Sequence, residues 1–215
     1  MKDRGGLWKT PKKAYVVAVH RVLDTFSLLD LRVDLGEEPL PGQFVMLYTE
    51  GSEEIPMAVM DYDEGVLKIG NRVVGPSTKR LYNALCGEYF SVRGPYGSHF
   101  ETDHLGKILL AAGGIGLTSI YYLAKRRKRL GLDNDLLLAF RWRREAVLAN
   151  LFKDLSSNLY LHIDEEGGDL GEKIEDILSK GSYELVAANG PEGFLHLLWE
   201  KCEGLGIPSQ LSLAR

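Results

Sequence analysis

Cysteine is nearly absent from this 215-residue chain: only Cys86 and Cys202 occur, far apart in sequence. That spacing excludes a disulfide framework, and two thiols are too few for a cysteine-built metal or iron–sulfur centre held by this chain alone. Both are expected to be buried as small apolar residues. Long apolar runs are also missing. Nothing approaches the roughly 20 residues that a membrane-spanning helix requires, and Met1–Lys9 has no apolar core of the kind that marks a signal peptide. The expected location is the cytoplasm. An excess of positive charge is lacking as well, with 26 Lys and Arg against 30 Asp and Glu and a net charge of -4. Nucleic acid is therefore not an expected partner, because binding to a phosphate backbone is carried by a strongly basic surface. The five histidines show no metal-ligand spacing, and there is neither an internal repeat nor a low-complexity segment.

What is present divides into two periods. Tyr15–His20, Phe26–Val33, Pro41–Tyr48, Pro56–Asp61, Gly65–Gly70 and Glu88–Arg93 are short and rich in β-branched and aromatic residues, with turn residues between them. Six such strands predict a small antiparallel barrel. Only Ser77–Leu85 has helical character, with Leu81 and Leu85 placed one turn apart on a common face.

After a polar stretch at Glu101–Gly106 the pattern changes. Strands are expected at Asp135–Phe140, Asn158–Ile163 and Tyr183–Ala188, alternating with helices at Arg144–Asp154, Leu170–Ser179 and Gly193–Glu203. Alternation of this kind predicts right-handed crossovers and a doubly wound parallel sheet. The expected organisation is thus a barrel domain over residues 1–102 and an α/β domain over residues 103–215.

The α/β half opens on Ile108-Leu-Leu-Ala-Ala-Gly-Gly-Ile-Gly-Leu-Thr-Ser119, an apolar strand that breaks into a glycine-rich turn and continues as a helix through Ile120–Lys125. The first N–H groups of such a helix have no partner within it, and its dipole adds partial positive charge, so a phosphate is a natural ligand. Gly113, Gly114 and Gly116 would allow close backbone approach, although glycine turns also serve plain packing. Lys125–Arg129 closes the helix as a basic run that suits its dipole on a solvated face. Arg141, Arg143 and Arg144 follow the second strand, where doubly wound folds select the ribose 2′ substituent; a plain solvated surface accounts for them equally well. Trp142 and Trp199 read as packing residues, and His99 is the one histidine placed near a candidate cofactor turn.

Taken together, several stretches resemble ferredoxin–NAD(P) reductase-type flavoproteins, and among these the electron-transfer subunits of type B dihydroorotate dehydrogenases. Pro41-Gly-Gln-Phe-Val45 resembles the third barrel strand, Arg72-Val-Val-Gly-Pro-Ser-Thr78 the flavin pyrophosphate segment, and Gly94-Pro-Tyr-Gly-Ser-His-Phe100 the turn that ends the barrel. Ala111–Thr118 and Asn189-Gly-Pro191 resemble the two nicotinamide-side segments, and Gln210-Leu-Ser-Leu213 the lead-in to iron–sulfur cysteines.

The resemblance implies an FAD-binding barrel followed by a nucleotide-binding sheet. It also implies electron transfer between NAD(P)H and FAD and on to a catalytic dehydrogenase subunit or another redox protein, in pyrimidine biosynthesis. By position it assigns Ile55, Pro56, Met57, Ala58, Gly70, Asn71, Arg72, Ser77 and Thr78 to the flavin. Gly113, Gly114, Gly116, Thr118 and Arg141 fall to the dinucleotide, and Gly190 and Pro191 to the nicotinamide ring.

Departures cluster at the flavin: Ile55 stands where the family carries a phosphate-pairing arginine, Ala58 where it carries a hydroxyl, and Asn71 where an aromatic commonly stacks. Asn189 replaces a cysteine, and no cysteine cluster follows Leu213. The expectation is loosely held FAD and no iron–sulfur cluster from this chain. Two readings remain open at this stage, a flavin reductase subunit and a regulatory nucleotide-binding module that has lost flavin chemistry.

Overall fold

A computed structural model describes residues 9–51 and 53–214, which fall into two compact units, Met1–His99 and Phe100–Arg215. In the first, β1 (Lys12–Leu23), β2 (Phe26–Arg32), β3 (Phe44–Tyr48), β4 (Ile55–Asp63), β5 (Val66–Arg72) and β6 (Tyr89–Tyr96) close a barrel in the order β1-β2-β5-β4-β3-β6. Every neighbouring pair is antiparallel. Alternate residues such as Leu29 and Leu31, Val45 and Leu47, Leu67 and Ile69, and Phe90 and Val92 point inward and are buried. Register shifts at Val16/Ala18, Arg21/Leu23, Phe44/Met46 and Val59/Asp61 curl the strands enough to close.

The six expected strands are all present. The first hairpin is tighter than the sequence suggested, because the bulge at Arg21/Leu23 carries β1 through the polar residues to a two-residue turn at Asp24 and Thr25. The helix α1 (Pro76–Tyr82) stops short of Leu85. Leu81 is fully buried, whereas Leu85 is 63% exposed in the following loop, so the two do not share a helical face. Cys86 is also exposed, with its thiol against the Val17 carbonyl at 3.4 Å, and only Cys202 is buried.

In the second unit, β7 (Ile108–Gly113), β8 (Asn134–Phe140), β9 (Asn158–Ile163), β10 (Leu185–Gly190) and β11 (Ser209–Leu213) form a parallel sheet in the order β11-β10-β7-β8-β9. β11 had no strand signal in a short, half-polar sequence; it forms because β10 offers it a complete ladder from Val186↔Ser209 to Gly190↔Leu213. The helices α2 (Leu117–Arg129), α3 (Leu170–Gly181) and α4 (Glu192–Leu205) cover the sheet. Leu109 and Ala111 of β7 pack with Leu137, Ile174, Leu178, Val186, Leu198 and Cys202 in one cluster with α3 and α4.

The segment expected as an α-helix from Arg144 winds as a 3₁₀ helix over Arg143–Phe152. Its buried residues come three apart, Glu145 with Leu148 and Ala149 with Phe152, the spacing that a three-residue turn aligns. The basic run is not wholly solvated either. Arg127 is completely buried, its guanidinium donating to Asn134 Oδ1 (2.5 Å) and to the carbonyls of His104 (2.7 Å), Thr102 (3.3 Å), Asp133 (3.3 Å) and Gly106 (3.4 Å). The polar stretch after Phe100 is thereby fastened to α2, and Glu101 is fixed a second time through paired bonds with Gln210. Burial lowers the Arg127 pKa, opposed by the nearby carboxylates of Glu101 and Asp103.

At the amino end of β8, Asp135 is buried and accepts from Tyr183 Oη (2.6 Å), Asn158 Nδ2 (2.9 Å) and Lys107 Nζ (3.0 Å). Tyr183 leaves the expected strand to make this bond, and β10 accordingly starts two residues later. Burial alone would raise the Asp135 pKa; the bonds from Tyr183, Lys107 and Asn158 outweigh it and leave the carboxyl below its ordinary value.

Such a group stabilises the fold at pH values above its unfolded pKa, and the contribution disappears as pH falls through the lower folded value. Asp135→Asn is expected to cost about 1.5–3 kcal/mol at neutral pH, the range for hydrogen bonds to a charged group. The gap to the parent protein should narrow below about pH 4, where aspartate protonates in the unfolded chain. Urea melts at a series of pH values measure both; a pH-independent gap would contradict the linkage.

Candidate functional site

The strand order places a reversal at β7. The chain runs outward from β7 to β8 and β9, then returns to the opposite side of β7 to lay down β10 and β11. The carboxyl ends of β7 and β10 therefore diverge into loops on opposite faces, which is the crevice where open α/β sheets bind ligands. Ala112 pairs with Asn189, so Gly113 and Gly190 end their strands side by side.

The glycines here do different work. A Cβ on Gly113 would lie 2.9 Å from Pro191 Cδ and 3.0 Å from the Phe194 ring, and one on Gly190 would lie 2.7 Å from the same ring. One on Gly116 would sit 2.1 Å from the Asn189 carbonyl oxygen. These three are glycine because strand ends, Pro191 and α4 crowd them. Gly114 differs: its φ is +54° and a Cβ there would meet nothing within 4 Å. It is the one glycine of this turn with open space before it.

The turn Gly114–Gly116 is a 3₁₀ segment that runs directly into α2, and no side chain caps either N-terminus. Thirteen residues of α2 stand behind these N–H groups. Thr118 is buried and its hydroxyl donates to Ile115 O at 3.0 Å, so it braces the turn through its side chain. Asn189 is 5% exposed, and its Oδ1, packed against Gly116, has no hydrogen-bond partner. Sequence reading singled out the glycines but not Phe194, the ring that enforces two of them; an aromatic four residues after Gly190 was the available signal.

Past the carboxyl end of β8, Trp142 is 40% exposed, not a core residue, with the guanidinium groups of Arg141 and Arg144 over its ring at 5.1 and 5.9 Å. Arg143 is committed elsewhere: its backbone N–H donates to Glu165 and its Nε to Glu166, both at 2.8 Å. The three arginines therefore separate into one ion-paired and two stacked on an indole. Trp199 is likewise 45% exposed and stacks on His196.

In the barrel, Ile55 and Ala58 are half-buried, Pro56 is exposed and Met57 is buried, paired respectively with Leu47, Phe44, Met46 and Val45 of β3. Gly70, Asn71 and Arg72 end β5 opposite Leu28, Ser27 and Phe26. Asn71 is fully buried and donates to Thr78 O (2.9 Å) and Ser27 Oγ (3.3 Å), so it ties β5 to α1. The Thr78 hydroxyl closes the same corner, accepting from Val74 N (2.9 Å) and Gly75 N (3.0 Å) and bonding Gly75 O (3.0 Å). Ser77 Oγ reaches the carbonyl of Glu53 at 3.5 Å, just before β4. His99 is exposed. Among the described residues no cluster of His, Cys, Asp and Glu could hold a metal, and no helix is long and apolar enough to cross a membrane.

No family model matches the chain. Over 186 residues it is 30% identical to the dihydroorotate dehydrogenase B (NAD(+)), electron transfer subunit of Caldanaerobacter subterraneus subsp. tengcongensis, covering 83% of this chain and 72% of that protein. It is also 30% identical over 211 residues to the probable dihydroorotate dehydrogenase B (NAD(+)), electron transfer subunit of Methanopyrus kandleri, 95% of this chain and 79% of that one. Among solved structures, an NADH-dependent reduced ferredoxin-NADP oxidoreductase superposes with a TM-score of 0.82 at 26% identity, over 98% of this chain and 78% of that chain. The ferredoxin reductase of carbazole 1,9a-dioxygenase superposes at 0.81 and 21% identity, over 96% and 69%, and shares the fold.

Proposed function

Since the chain belongs to the family of dihydroorotate dehydrogenase B electron-transfer subunits, we propose that it takes reducing equivalents from NAD(P)H into a flavin and hands them to a partner redox protein, most simply a catalytic dehydrogenase subunit. The observation that carries this reading is the uncapped turn at the sheet reversal, where Gly114 alone has open space before it. A dinucleotide diphosphate fits this turn: backbone N–H groups from Gly114 to Gly116 would face its oxygens, and the α2 dipole favours their charge. Gly190 and Pro191 would border the nicotinamide, with the orphaned Asn189 Oδ1 behind them.

A flavin fits the barrel with fewer side-chain contacts: Arg72 and the backbone N–H groups of Ser77 and Thr78 would hold its phosphates, while Gly70, Asn71 and the strip Ile55–Ala58 would form the adjoining wall. When bound, the nicotinamide supplies hydride from its C4 and the flavin accepts it at N5, so no side chain here has to act as acid or base. A second reading, a regulatory module that binds nucleotide alone, is favoured by Ile55 and Ala58 and predicts no NAD(P)H-dependent reduction of added flavin.

Calorimetry with NADH and NADPH tests the dinucleotide site directly; failure of both to bind at millimolar concentration would overturn it. The same titration reads cofactor choice. Arg141 and Arg144, held on Trp142 and free of the Glu166 pairing that occupies Arg143, are assigned to a 2′-phosphate. NADPH should bind about tenfold tighter than NADH at low salt, the lower end for one charge-assisted contact. The preference should shrink as salt screens it and vanish in Arg141→Gln/Arg144→Gln with NADH affinity unchanged. Equal affinities at low salt would return both arginines to plain surface.

A further inference from the structure

We propose that the outer edge of β11 and the adjoining flank of α4 form a two-fold interface with a second copy of this chain. The surface lies wholly within the second unit and owes nothing to the redox reading. β11 ends the sheet. Val186 N–H donates to Pro208 O (2.9 Å) and Ala214 N–H to Gly190 O (3.0 Å), so Pro208, Gln210, Ser212 and Ala214 turn their backbone groups toward β10. By alternation, the N–H and C=O groups of Ser209, Leu211 and Leu213 point away from the sheet, and among the described residues they have no backbone partner. Two such edges are self-complementary. Antiparallel pairing about Leu211 sets Ser209 against Leu213 of the second copy and Leu211 against itself, each residue giving one N–H bond and accepting one.

α4 decides what covers this edge. Leu195, Leu198 and Cys202 pack into the sheet cluster, while Leu197 and Lys201 face α3, Lys201 through an ion pair with Glu175 at 2.6 Å. The helical period therefore leaves Glu192, His196, Trp199 and Glu203 on the flank away from α3, over the β11 edge. All four are exposed, Trp199 to 45%, with its ring stacked on His196. A lone added strand would satisfy the backbone and leave this flank in water. A second copy brings its own α4 to roughly 10 Å from the first, two strand spacings away and at the distance where helices pack.

Charge complementarity favours the same arrangement. Ile207 N–H donates to Cys202 O (2.9 Å), so residue 207 is level with the last turn of α4. From there to Leu211 the strand rises about 13 Å, the length of about nine helical residues, which sets Leu211 level with Phe194 and Leu195. Rotation about an axis through Leu211 runs the two helices antiparallel and brings His196 of each copy beside Glu192 of the other. The imidazole then donates to a carboxylate on both sides of the axis, and Trp199 is covered by the first turn of the second α4.

Sedimentation velocity of the complete chain from about 1 to 500 µM tests the interface. A monomer–dimer equilibrium half-formed below about 200 µM is expected, since a strip this short falls among the small interfaces. Leu213→Pro removes an outward N–H from each copy without touching the ladder to β10, and should weaken association by about tenfold or more. His196→Glu, at an exposed position of α4, sets carboxylate against carboxylate twice and should weaken it by about as much. Adding Glu192→Lys to that variant should restore the parent value within about threefold. The charge pair decides the matter should Leu213→Pro fail to fold. Monomer throughout, open-ended assemblies in place of a dimer, or a dimer that His196→Glu leaves intact overturns the inference.

Discussion

Gly114→Leu is expected to abolish detectable binding of NADH and NADPH while leaving the second unit folded, and Gly116→Val to unfold that unit. Both glycines lie in one three-residue turn, yet they answer to different constraints. At Gly114 a side chain meets no protein atom and would project into the space assigned to the phosphates. The structural penalty is confined to a left-handed φ of +54°, about 1–2 kcal/mol for a residue with a Cβ. At Gly116 the first carbon already lies 2.1 Å from the Asn189 carbonyl oxygen and 2.4 Å from its carbon, both backbone atoms of the central ladder. Nothing flexible can yield there, so the cost should exceed the roughly 1–3 kcal/mol typical of overpacking. Circular dichroism and calorimetry on the pair separate the roles: a Gly114→Leu protein that is folded and still binds dinucleotide would remove the turn from the site.

Arg127→Leu carries the largest expected loss of stability among single changes outside the site. Removing the guanidinium strands Asn134 Oδ1 and the carbonyls of Thr102, His104, Gly106 and Asp133, all of which now accept from it. Buried acceptors left without donors cost about 1–3 kcal/mol each before the backbone relaxes to reach water. A net loss of about 3–5 kcal/mol follows the pattern of broken buried charge networks. For a unit of this size that amounts to a fall in Tm of at least about 10 °C. Arg127→Lys should recover little of it, since one ammonium cannot span five acceptors arranged around a planar fork. Thermal melts of both variants decide; a loss below 1 kcal/mol for Arg127→Leu would show that the fork is not what holds Thr102–Gly106.

These two cases mark where the sequence was readable. The barrel and the parallel sheet were legible because period-two and alternating strand–helix patterns are imposed by burial along each element, and that pressure acts locally. Even the position of the turn at Gly113–Gly116 was legible, since an apolar strand broken by three glycines has few alternatives. Which of those glycines is crowded and which has open space before it was not, because Pro191, Phe194 and Asn189, which do the crowding, lie some 75 positions away.

Arg127 was misread for the same reason. Within Lys125–Arg129 it is one cation among five, and only the carbonyls folded around it by Thr102–Gly106 make it interior. Leu85 failed differently: α1 ends at Tyr82, so a helical period extrapolated over one more turn had no helix to sit on. β11 escaped notice because an edge strand borrows its order from its neighbour and needs little apolar character of its own.

The strand order also governs how the chain emerges from the ribosome. β7 can pair with β8, and β8 with β9, as soon as each is made. The other side of β7 waits for β10, whose Leu185 is the partner of Ile108. At about 5–20 residues per second the intervening stretch takes roughly 4–15 s to synthesise. Throughout that interval Ile108-Leu-Leu-Ala-Ala, wholly buried in the finished sheet, presents an unpaired apolar edge to the crowded cell. Nascent chains arrested before Leu185 should therefore be strong clients of ribosome-associated chaperones, and release from them should coincide with translation of β10 and not of β9.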